Sequence, residues 1–404
     1  MDRRTSLRVL AGLGALSALT WNGRVFAAPR ASSRFLLVFM RGGYDSTNLL
    51  VPHSSSFYYE ARPTLAIARP DAGNVNAALA IDSDWGLHPA LRASLWPMMQ
   101  RGEVAFIPFA GTDDLTRSHF ETQDSIEVGM PPGGLRNYPD GFLGRLANVL
   151  GADVARPIAF TDSLPMSFKG GPNVPNVSLK GGGTNLDDRQ RELLSRLYAQ
   201  NDLSPMVNEG MELRSKVSQE LRDEMKAASR NANSPKGFEA EARRMARLMR
   251  DDYRLGFVDV GGWDTHVGEG GAQGPLANNL ANLGNGLAAF ADEMGPQWRN
   301  TTVVVISEFG RTFRENGNRG TDHGHGTVYW VLSGGLNASV KVSPVVGERI
   351  VVAQHTLFQN RDYPVLNEYR SVLGQMFGTL YGLSSAQLAR VFPDAKMKGN
   401  LSLL

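Results

Sequence analysis

The chain has 404 residues, with 42 lysines and arginines against 40 aspartates and glutamates, and no cysteine. Its 42% hydrophobic and 8% aromatic content is enough to build a folded core, which excludes global disorder. The lack of cysteine excludes a disulfide framework, a thiolate metal site and a cysteine nucleophile. At ~150 residues per domain, this length fits two or three domains or one large α/β unit with insertions.

Residues 1–27 have the three-part pattern of an export signal. Arg3 and Arg4 precede an apolar run over 9–20, and small residues surround an expected cleavage site after Ala27. The apolar run is too short to cross a bilayer, which needs ~20 residues. Paired arginines before a weakly hydrophobic run are typical of a twin-arginine signal. The alternative is an ordinary amphipathic N-terminal helix.

We therefore expect an exported, periplasmic protein, with the twin-arginine translocase as its partner during export and no transmembrane segment in the mature chain. The signal holds four arginines and one aspartate, which leaves 38 basic and 39 acidic residues for the remainder. A chain with this balance has no basic footprint for nucleic acid.

Apolar runs and segments of helical spacing alternate along the remainder of the chain. Strands are expected at 34–40, 103–109, 157–160, 255–260, 301–307 and 329–332. Helices are expected at 91–101, 118–128, 276–294, 366–380 and 384–391. The continuous apolar run at 34–40 is typical of a buried parallel strand. The alternation predicts an α/β domain over 34–404, a three-layer sandwich with a mainly parallel central sheet between helices.

Residues 185–252 break this alternation. They contain 13 basic and 13 acidic residues and few β-branched ones, with helical spacing in several segments. We expect a helical insertion on the sheet domain. A solvated structural cap is one interpretation of this insertion, and a lid over the functional site is the other.

Polar residues follow the expected strands at high density. In a parallel α/β sheet, ligands bind beyond the carboxyl ends of the strands. The polar loops cover 41–48, 112–120, 261–266, 308–311 and 320–326. Four of the seven histidines lie in these loops: His119, His266, His323 and His325. The expected sheet therefore brings imidazoles and carboxylates to one edge.

Imidazole and carboxylate groups together suit zinc, manganese or iron ions. Asp322 and His323 are neighbours, so one turn can supply two ligands. Asp264 and His266 are two residues apart, which places both side chains on the same side of an extended segment. These pairs predict a metal site. The alternative is that the aspartates cap helices and the histidines bond to loop backbone.

Ser118 lies at the expected start of a helix. Beside a metal, its hydroxyl can act as a nucleophile toward phosphorus or sulfur. The alternative is a simple helix cap, because Ser118 and Glu121 have the spacing of a capping box. Arginines in the same loops can clamp a phosphate or sulfate or can pair within the loops. These arginines are Arg41, Arg117 and Arg311.

Five motifs in this order resemble one protein family. They are Arg41-Gly42-Gly43-Tyr44-Asp45, Arg117-Ser118-His119-Phe120, Gly262-Trp263-Asp264-Thr265-His266, Ser307-Glu308-Phe309-Gly310-Arg311 and Gly320-Thr321-Asp322-His323-Gly324. With the export signal, they are similar to the domain of unknown function 1501 family of twin-arginine-exported bacterial proteins. The resemblance runs from about residue 34 to residue 383 and implies a fold related to the alkaline phosphatase and sulfatase superfamily.

In that superfamily, an aspartate after the first strand, a serine or threonine at a helix start and a later Asp–His pair hold one metal. The resemblance implies this role for Asp45, Ser118, Asp322 and His323. It implies a second ion at Asp264 and His266, which stand two apart here, whereas the superfamily's pair stands four apart. The candidates for the remaining ligand are His119, His325 and His355, with Glu308 as a carboxylate substitute.

The motifs and the resemblance together imply one or two divalent ions, zinc or manganese, and hydrolysis of a phosphate or sulfate ester. The expected partner of the mature protein is a small anionic ester, or a periplasmic glycan or protein. The alternative is a non-catalytic periplasmic binding or assembly protein that retains the fold. A complete cluster around Ser118 would favour the enzyme, and a capping Ser118 with an incomplete cluster would favour the binding protein.

Overall fold

The computed structural model describes residues 33–131, 138–178, 237–399 and 401–404, so the expected signal at 1–27 lies outside the described residues. The strands are β1 Arg34–Met40, β2 Leu50–Val51, β3 Leu79–Ala80, β4 Gly86–Leu87, β5 Val104–Gly111, β6 Pro157–Phe160, β7 Leu255–Val260, β8 Thr301–Ser307, β9 Thr327–Ser333 and β10 Asn367–Glu368. The α-helices are α1 Ser46–Leu49, α2 Ser56–Ala61, α3 Leu95–Gln100, α4 His119–Val128, α5 Phe142–Leu150, α6 Ala152–Ala155, α7 Phe238–Asp251, α8 Pro275–Met294, α9 Ala338–Val342, α10 Tyr369–Tyr381 and α11 Ser385–Val391. None of the helices in these ranges is long and apolar enough to cross a membrane.

Seven strands form the central sheet, in the order β10-β5-β9-β8-β1-β7-β6. β9 pairs antiparallel with β5 and with β8, and the other four pairs are parallel. Met40 at the end of β1 is in register with Val260 of β7 and Ser307 of β8. These three neighbouring strands therefore end level with one another. The prediction of a mainly parallel sheet is confirmed.

The side chains of β1 show how the sheet is covered on both faces. All seven residues of β1 are buried. Leu36 and Val38 pack into one hydrophobic core, whereas Phe35 and Leu37 pack into the other, because successive strand residues point to opposite faces. Helices α3, α7 and α8 contribute to the first core, and α5, α10 and α11 contribute to the second. The domain is a three-layer α/β/α sandwich, as the alternation predicted.

The six predicted strands are all present, within two residues at each end. The helix expected at 91–101 is shorter and begins at Leu95 as α3, after a 3₁₀ turn at Pro89–Leu91. Pro97 explains the shift, because proline has no N–H and is tolerated only in the first turn of a helix. The short strands β2, β3, β4 and β10 were not expected, since two residues show no periodicity.

Helix α7 corrects the extent of the insertion expected at 185–252. Phe238, Met245 and Met249 of α7 are buried in the first core, and α7 packs against α8. Its apolar side chains recur at helical spacing and form one continuous face. The segment 238–251 is therefore a core helix of the sheet domain. Residues 185–236 lie outside the described residues, and a peripheral cap there stays a prediction.

Candidate metal centre

Loops from four strands meet at one edge of the central sheet. The loops after β1, β7 and β8 leave the sheet at their carboxyl ends. The loop before β9 reaches the same edge because β9 runs antiparallel to β8. With the start of α4, these loops bring together His119, Asp264, His266 and His323, which we call the His/Asp cluster.

Donor atoms of His119, Asp264 and His323 all lie within 4.8 Å of one another, and His266 Nε2 adjoins two of them. His323 Nε2 lies 2.9 Å from His119 Nε2 and 3.1 Å from His266 Nε2. Asp264 Oδ1 lies 2.9 Å from His266 Nε2, 3.3 Å from His323 Nε2 and 3.5 Å from His119 Nε2. Four ligands placed ~2.0–2.1 Å from a tetrahedral zinc ion stand about 3.3 Å from one another. The separations among His119, Asp264 and His323 fit one ion held by two imidazoles and one carboxylate, and His266 lies next to Asp264 and His323.

Each imidazole of the cluster is oriented through its other nitrogen, Nδ1. The Nδ1 partners are Glu308 Oε1 for His119 at 2.7 Å, the Arg117 carbonyl oxygen for His323 at 3.0 Å and Asp322 Oδ1 for His266 at 3.3 Å. All three partners accept hydrogen bonds, so each Nδ1 carries the proton and each Nε2 turns a lone pair toward the cluster. This is the tautomer that a metal ligand needs.

Asp264 supplies the carboxylate of the cluster, and the buried Arg311 holds it. Arg311 Nη2 donates to Asp264 Oδ1 at 2.5 Å, to the Gly42 carbonyl at 2.8 Å and to the Trp263 carbonyl at 3.1 Å. Burial by itself raises the pKa of Asp264, but the hydrogen bond and charge of Arg311 outweigh it and lower that pKa. Arg311 therefore ties the loops after β1 and β7 together and keeps Asp264 ionised.

Glu308 is a fully buried carboxylate behind His119. Its Oε1 accepts hydrogen bonds from the Gly42 N–H and from Gln123 Nε2, both at 2.8 Å, and its Oε2 accepts from the Ser307 hydroxyl at 2.9 Å. Burial alone would raise the pKa of Glu308, but the hydrogen bonds from His119 and Gln123 lower it. The bond to Glu308 in turn raises the pKa of His119. Glu308 thus orients the His119 ring through a hydrogen bond at Nδ1, on the side of the ring away from the cluster.

Phe309 packs against two rings of the cluster. Its ring centroid lies 4.9 Å from that of His119 and 5.1 Å from that of His323. Burial, and then the charge of His119, lower the pKa of His323, which keeps this imidazole neutral near pH 7. Packing and hydrogen bonds together fix the rings in place.

Ser118 lies at the N-cap of α4, between two residues that reach the cluster. The carbonyl of Arg117 accepts the hydrogen bond from His323, and His119 belongs to the cluster. The Ser118 side chain makes no capping hydrogen bond, so the capping box with Glu121 is not formed. Arg117 has a φ of 53°, a conformation that non-glycine residues rarely adopt and that is enriched at functional sites. Ser118 is a half-buried residue, and its two chain neighbours place it next to the cluster.

The three arginines expected to clamp an anion are engaged with carboxylates of the protein. Their partners are Asp259 and Glu127 for Arg41, Asp362 for Arg117 and Asp264 for Arg311. Each guanidinium pairs with residues of the loops around the site. This is the second of the two roles expected from the sequence, in which the arginines pair within the loops.

The structure does not bring Asp45 to the His/Asp cluster. Asp45 is fully buried and pairs with the buried Arg62 through two hydrogen bonds, from Nη1 to Oδ2 at 2.5 Å and from Nη2 to Oδ1 at 2.9 Å. Burial alone would raise the pKa of Asp45, but the charge of Arg62 lowers it overall. Asp45 compensates a buried guanidinium, and this pairing takes the place of the ligand role that the resemblance implied.

Asp322 and two other histidines also lie apart from the converging donors. The carboxylate of Asp322 accepts from Asn316 Nδ2 at 3.0 Å and faces His266 Nδ1, behind the ring. The ring of His325 packs on Phe358 at 5.0 Å, and burial lowers its pKa to about 4. His355 lies in an exposed 3₁₀ turn. Asp322 therefore orients a ligand, and neither of these two histidines completes the cluster.

Several residues of the site were not identified from the sequence. They are Gln123, Asn316, Arg62 and Glu269. Gln123 stands four residues after His119, so the shared helix face was the available signal. Arg62 lies in no motif, and Glu269 is a single carboxylate in a glycine-rich loop, so neither gave a signal.

A family model described as "Protein of unknown function (DUF1501)" matches residues 32–392. Among curated protein sequences, none matches this chain. The crystal structures of Ps i-CgsB, in complex with k-i-k-neocarrahexaose and without it, match at 9% and 10% identity, each with a TM-score of 0.35, 89% of this chain and 74% of that chain covered. A protein in the alkaline phosphatase superfamily from Vibrio parahaemolyticus matches at 12% identity and a TM-score of 0.33, with 76% of this chain and 62% of that chain covered.

Proposed function

We propose that this chain, which belongs to the DUF1501 family of proteins of unknown function, is an exported, metal-dependent hydrolase of a phosphate or sulfate ester. The observation that carries the proposal is the common orientation of His119, His266 and His323. Every Nδ1 faces an acceptor, and every Nε2 lies within 3.5 Å of Asp264 Oδ1. Arg311 donates to Asp264 Oδ1, and its Nη1 lies 3.4 Å from His266 Nε2. The facing lone pairs of His119 and His323 repel each other unless a further cation lies between them. The cluster is therefore arranged to hold one.

With His266 as the proposed fourth ligand, three imidazoles and one carboxylate favour zinc, with manganese as the second choice. When bound, such an ion would polarise an ester oxygen and stabilise the negative charge that develops on it. The cluster itself supplies a single negative charge, from Asp264, so a divalent ion would leave the site positive. A positive site attracts an anionic ester, which agrees with the expected substrate class.

Ser118 is the proposed nucleophile. Its hydroxyl makes no capping bond, and the residues on both sides of it contact the cluster. The hydroxyl is also at the N-terminus of α4, where the helix dipole favours negative charge on the serine oxygen. Attack by Ser118 on phosphorus or sulfur would form a covalent ester with the protein and release the alcohol of the substrate.

A non-catalytic, metal-holding periplasmic protein is the second candidate. The observation that favours it is the engagement of Arg41, Arg117 and Arg311 with carboxylates of the chain. With these pairs formed, no guanidinium of the three is left to bind an anion. The two candidates agree on the metal and differ on turnover, so one pair of variants can separate them.

The test compares two serines that both occupy helix N-caps. The Ser384 hydroxyl accepts from the Gln387 N–H, whereas Ser118 makes no such bond. With zinc-loaded protein and 4-nitrophenyl phosphate or sulfate, we expect Ser118→Ala to lose turnover by orders of magnitude and to keep its metal and melting temperature. Ser384→Ala should keep turnover and lose about 1 kcal/mol of stability. Full metal content with no turnover in the wild type would overturn the hydrolase and favour the second candidate.

A further inference from the structure

Glu269 joins two of the loops that form the His/Asp cluster. It is fully buried, and its Oε2 accepts hydrogen bonds from the hydroxyls of Thr265, at 2.8 Å, and Thr321, at 2.6 Å. The backbone of Thr321 also donates to the carbonyl of Thr265 at 3.2 Å, and the N–H of Glu269 donates to the Arg319 carbonyl at 2.9 Å. One carboxyl oxygen thus connects the loop after β7 to the loop before β9.

The two threonines are immediate neighbours of cluster residues. Thr265 stands between Asp264 and His266, and Thr321 stands two residues before His323. Metal ligands must hold their distances within ~0.2 Å. A displacement of either loop relative to the other would therefore separate the His323 donor from its two neighbours. The hydroxyl bonds to Glu269 oppose such a displacement.

The Glu269 carboxyl lies near the buried ion pair of Asp45 and Arg62. Its other oxygen, Oε1, is buried and has no hydrogen-bond partner among the described residues. Burial, and then the charge of Asp45, raise the pKa of Glu269 well above its usual value. Arg62 donates to the carbonyls of Thr312 and Phe313, at 3.0 and 2.7 Å, and so holds the chain that follows β8.

We propose that Glu269 is a positioning residue of the metal centre, which holds the loops of Thr265 and Thr321 at the spacing that the His/Asp cluster needs. The inference rests on the proposed metal binding and assigns Glu269 to ion affinity, with no part in the chemical step.

The test removes the two hydroxyls and leaves Glu269 in place. The double variant Thr265→Val with Thr321→Val keeps side-chain shape and deletes both bonds to Oε2. Glu269→Gln is the conservative variant, because its amide oxygen can accept from both threonines. Thr301→Val is the matched control, since it removes a buried threonine hydroxyl bond, to the Gln297 carbonyl at 2.8 Å, at the opposite end of the sheet.

Two measurements are made on full-length protein, zinc affinity by chelator competition and amide hydrogen exchange at Thr321 in metal-free protein. We expect the double variant to bind zinc ~10–100-fold more weakly and to exchange the Thr321 amide at least ~10-fold faster. Glu269→Gln and Thr301→Val should stay within ~3-fold of the wild type in both measurements. Unchanged affinity and unchanged exchange in the double variant would overturn the inference. A wild type that binds no zinc would overturn the proposed function instead, and the exchange rates alone would then decide whether Glu269 holds the loops.

Discussion

The Nε2 atoms of His119 and His323 lie 2.9 Å apart, although the Nδ1 atom of each ring is already bonded to an acceptor. A neutral imidazole carries one N–H, and in both rings that N–H is directed away from the other. When both rings are neutral, neither Nε2 can therefore donate to its neighbour. The short approach calls for a cation between the rings, and Asp264 supplies the matching negative charge.

Removing the carboxylate behind His119 should weaken metal binding without removing a ligand. Glu308→Ala deletes the acceptor that orients the His119 ring and leaves the Gly42 N–H without its partner. We expect zinc affinity to fall ~10–100-fold, measured by chelator competition on the folded variant. Glu60→Ala, at an exposed glutamate, is the control and should bind zinc as the wild type does. Equal affinity in all three proteins would mean that Glu308 does not orient the ligand.

The substitution Asp45→Asn tests whether the Asp45 carboxylate has a structural role or is a metal ligand. The substitution takes the countercharge away from the buried Arg62, and breaking a buried pair costs about 3 kcal/mol or more. We expect the urea midpoint to fall and the zinc content per folded chain to stay at the wild-type value. Asp71→Asn, at an exposed aspartate, should change neither quantity. Loss of zinc from folded Asp45→Asn protein would return Asp45 to the ligand role implied by the family resemblance.

His88 should make the protein less stable in mild acid. The ring is fully buried, its Nδ1 accepts from the Ala90 N–H at 3.0 Å, and its Nε2 faces the Gly271 carbonyl at 3.1 Å. Burial lowers the pKa of His88 to about 4, below its ordinary value of 6.5. The unfolded chain therefore takes up a proton between pH 6.5 and pH 4 that the folded chain does not.

Stability from this group should then fall as the pH drops through that window, by up to about 3 kcal/mol. Urea unfolding from pH 7 to pH 4.5 should show a shallower loss in His88→Gln than in the wild type. His53→Gln, at a partly exposed ring, should keep the wild-type slope. Parallel slopes for His88→Gln and the wild type would show that His88 does not titrate in this way.

We predict that export depends on the paired arginines at the N-terminus. We expect Arg3→Lys with Arg4→Lys to leave the protein at full length in the cytoplasm, because the twin-arginine translocase reads this pair. Arg8→Lys with Arg24→Lys makes the same two charge-conserving exchanges outside the pair, and this variant should be processed normally. Cell fractionation and mass measurement of the N-terminus check both variants. Normal processing of the Arg3/Arg4 variant near Ala27 would point to general secretion.

The strands and the histidines were predictable because their signals are local. A run such as 34–40 has no polar residue after its first, and only a sheet buried on both faces accommodates it. His119, His266 and His323 each follow such a strand or open a helix, so the rule for strand ends predicted their convergence. The core role of α7 was harder to predict, because the same segment is also rich in charge.

The roles of the acidic residues could not be predicted, because they depend on partners distant in the chain. Asp45 is paired with Arg62. Asp322 faces Nδ1 of His266, which stands 56 residues before it in the chain. A sequence pattern shows that a carboxylate follows a strand. It does not show which cation or imidazole pairs with that carboxylate in the folded protein, since this depends on packing among loops.

Zinc K-edge X-ray absorption on zinc-loaded, full-length protein tests the central claim most directly, because it counts the imidazoles around the ion. The account predicts three imidazole nitrogens and at least one oxygen at ~2.0–2.1 Å, with one ion per chain. The His323→Ala variant should retain two imidazoles or lose the ion. A wild-type spectrum with oxygen ligands alone, or protein that retains no zinc after dialysis, would contradict the account.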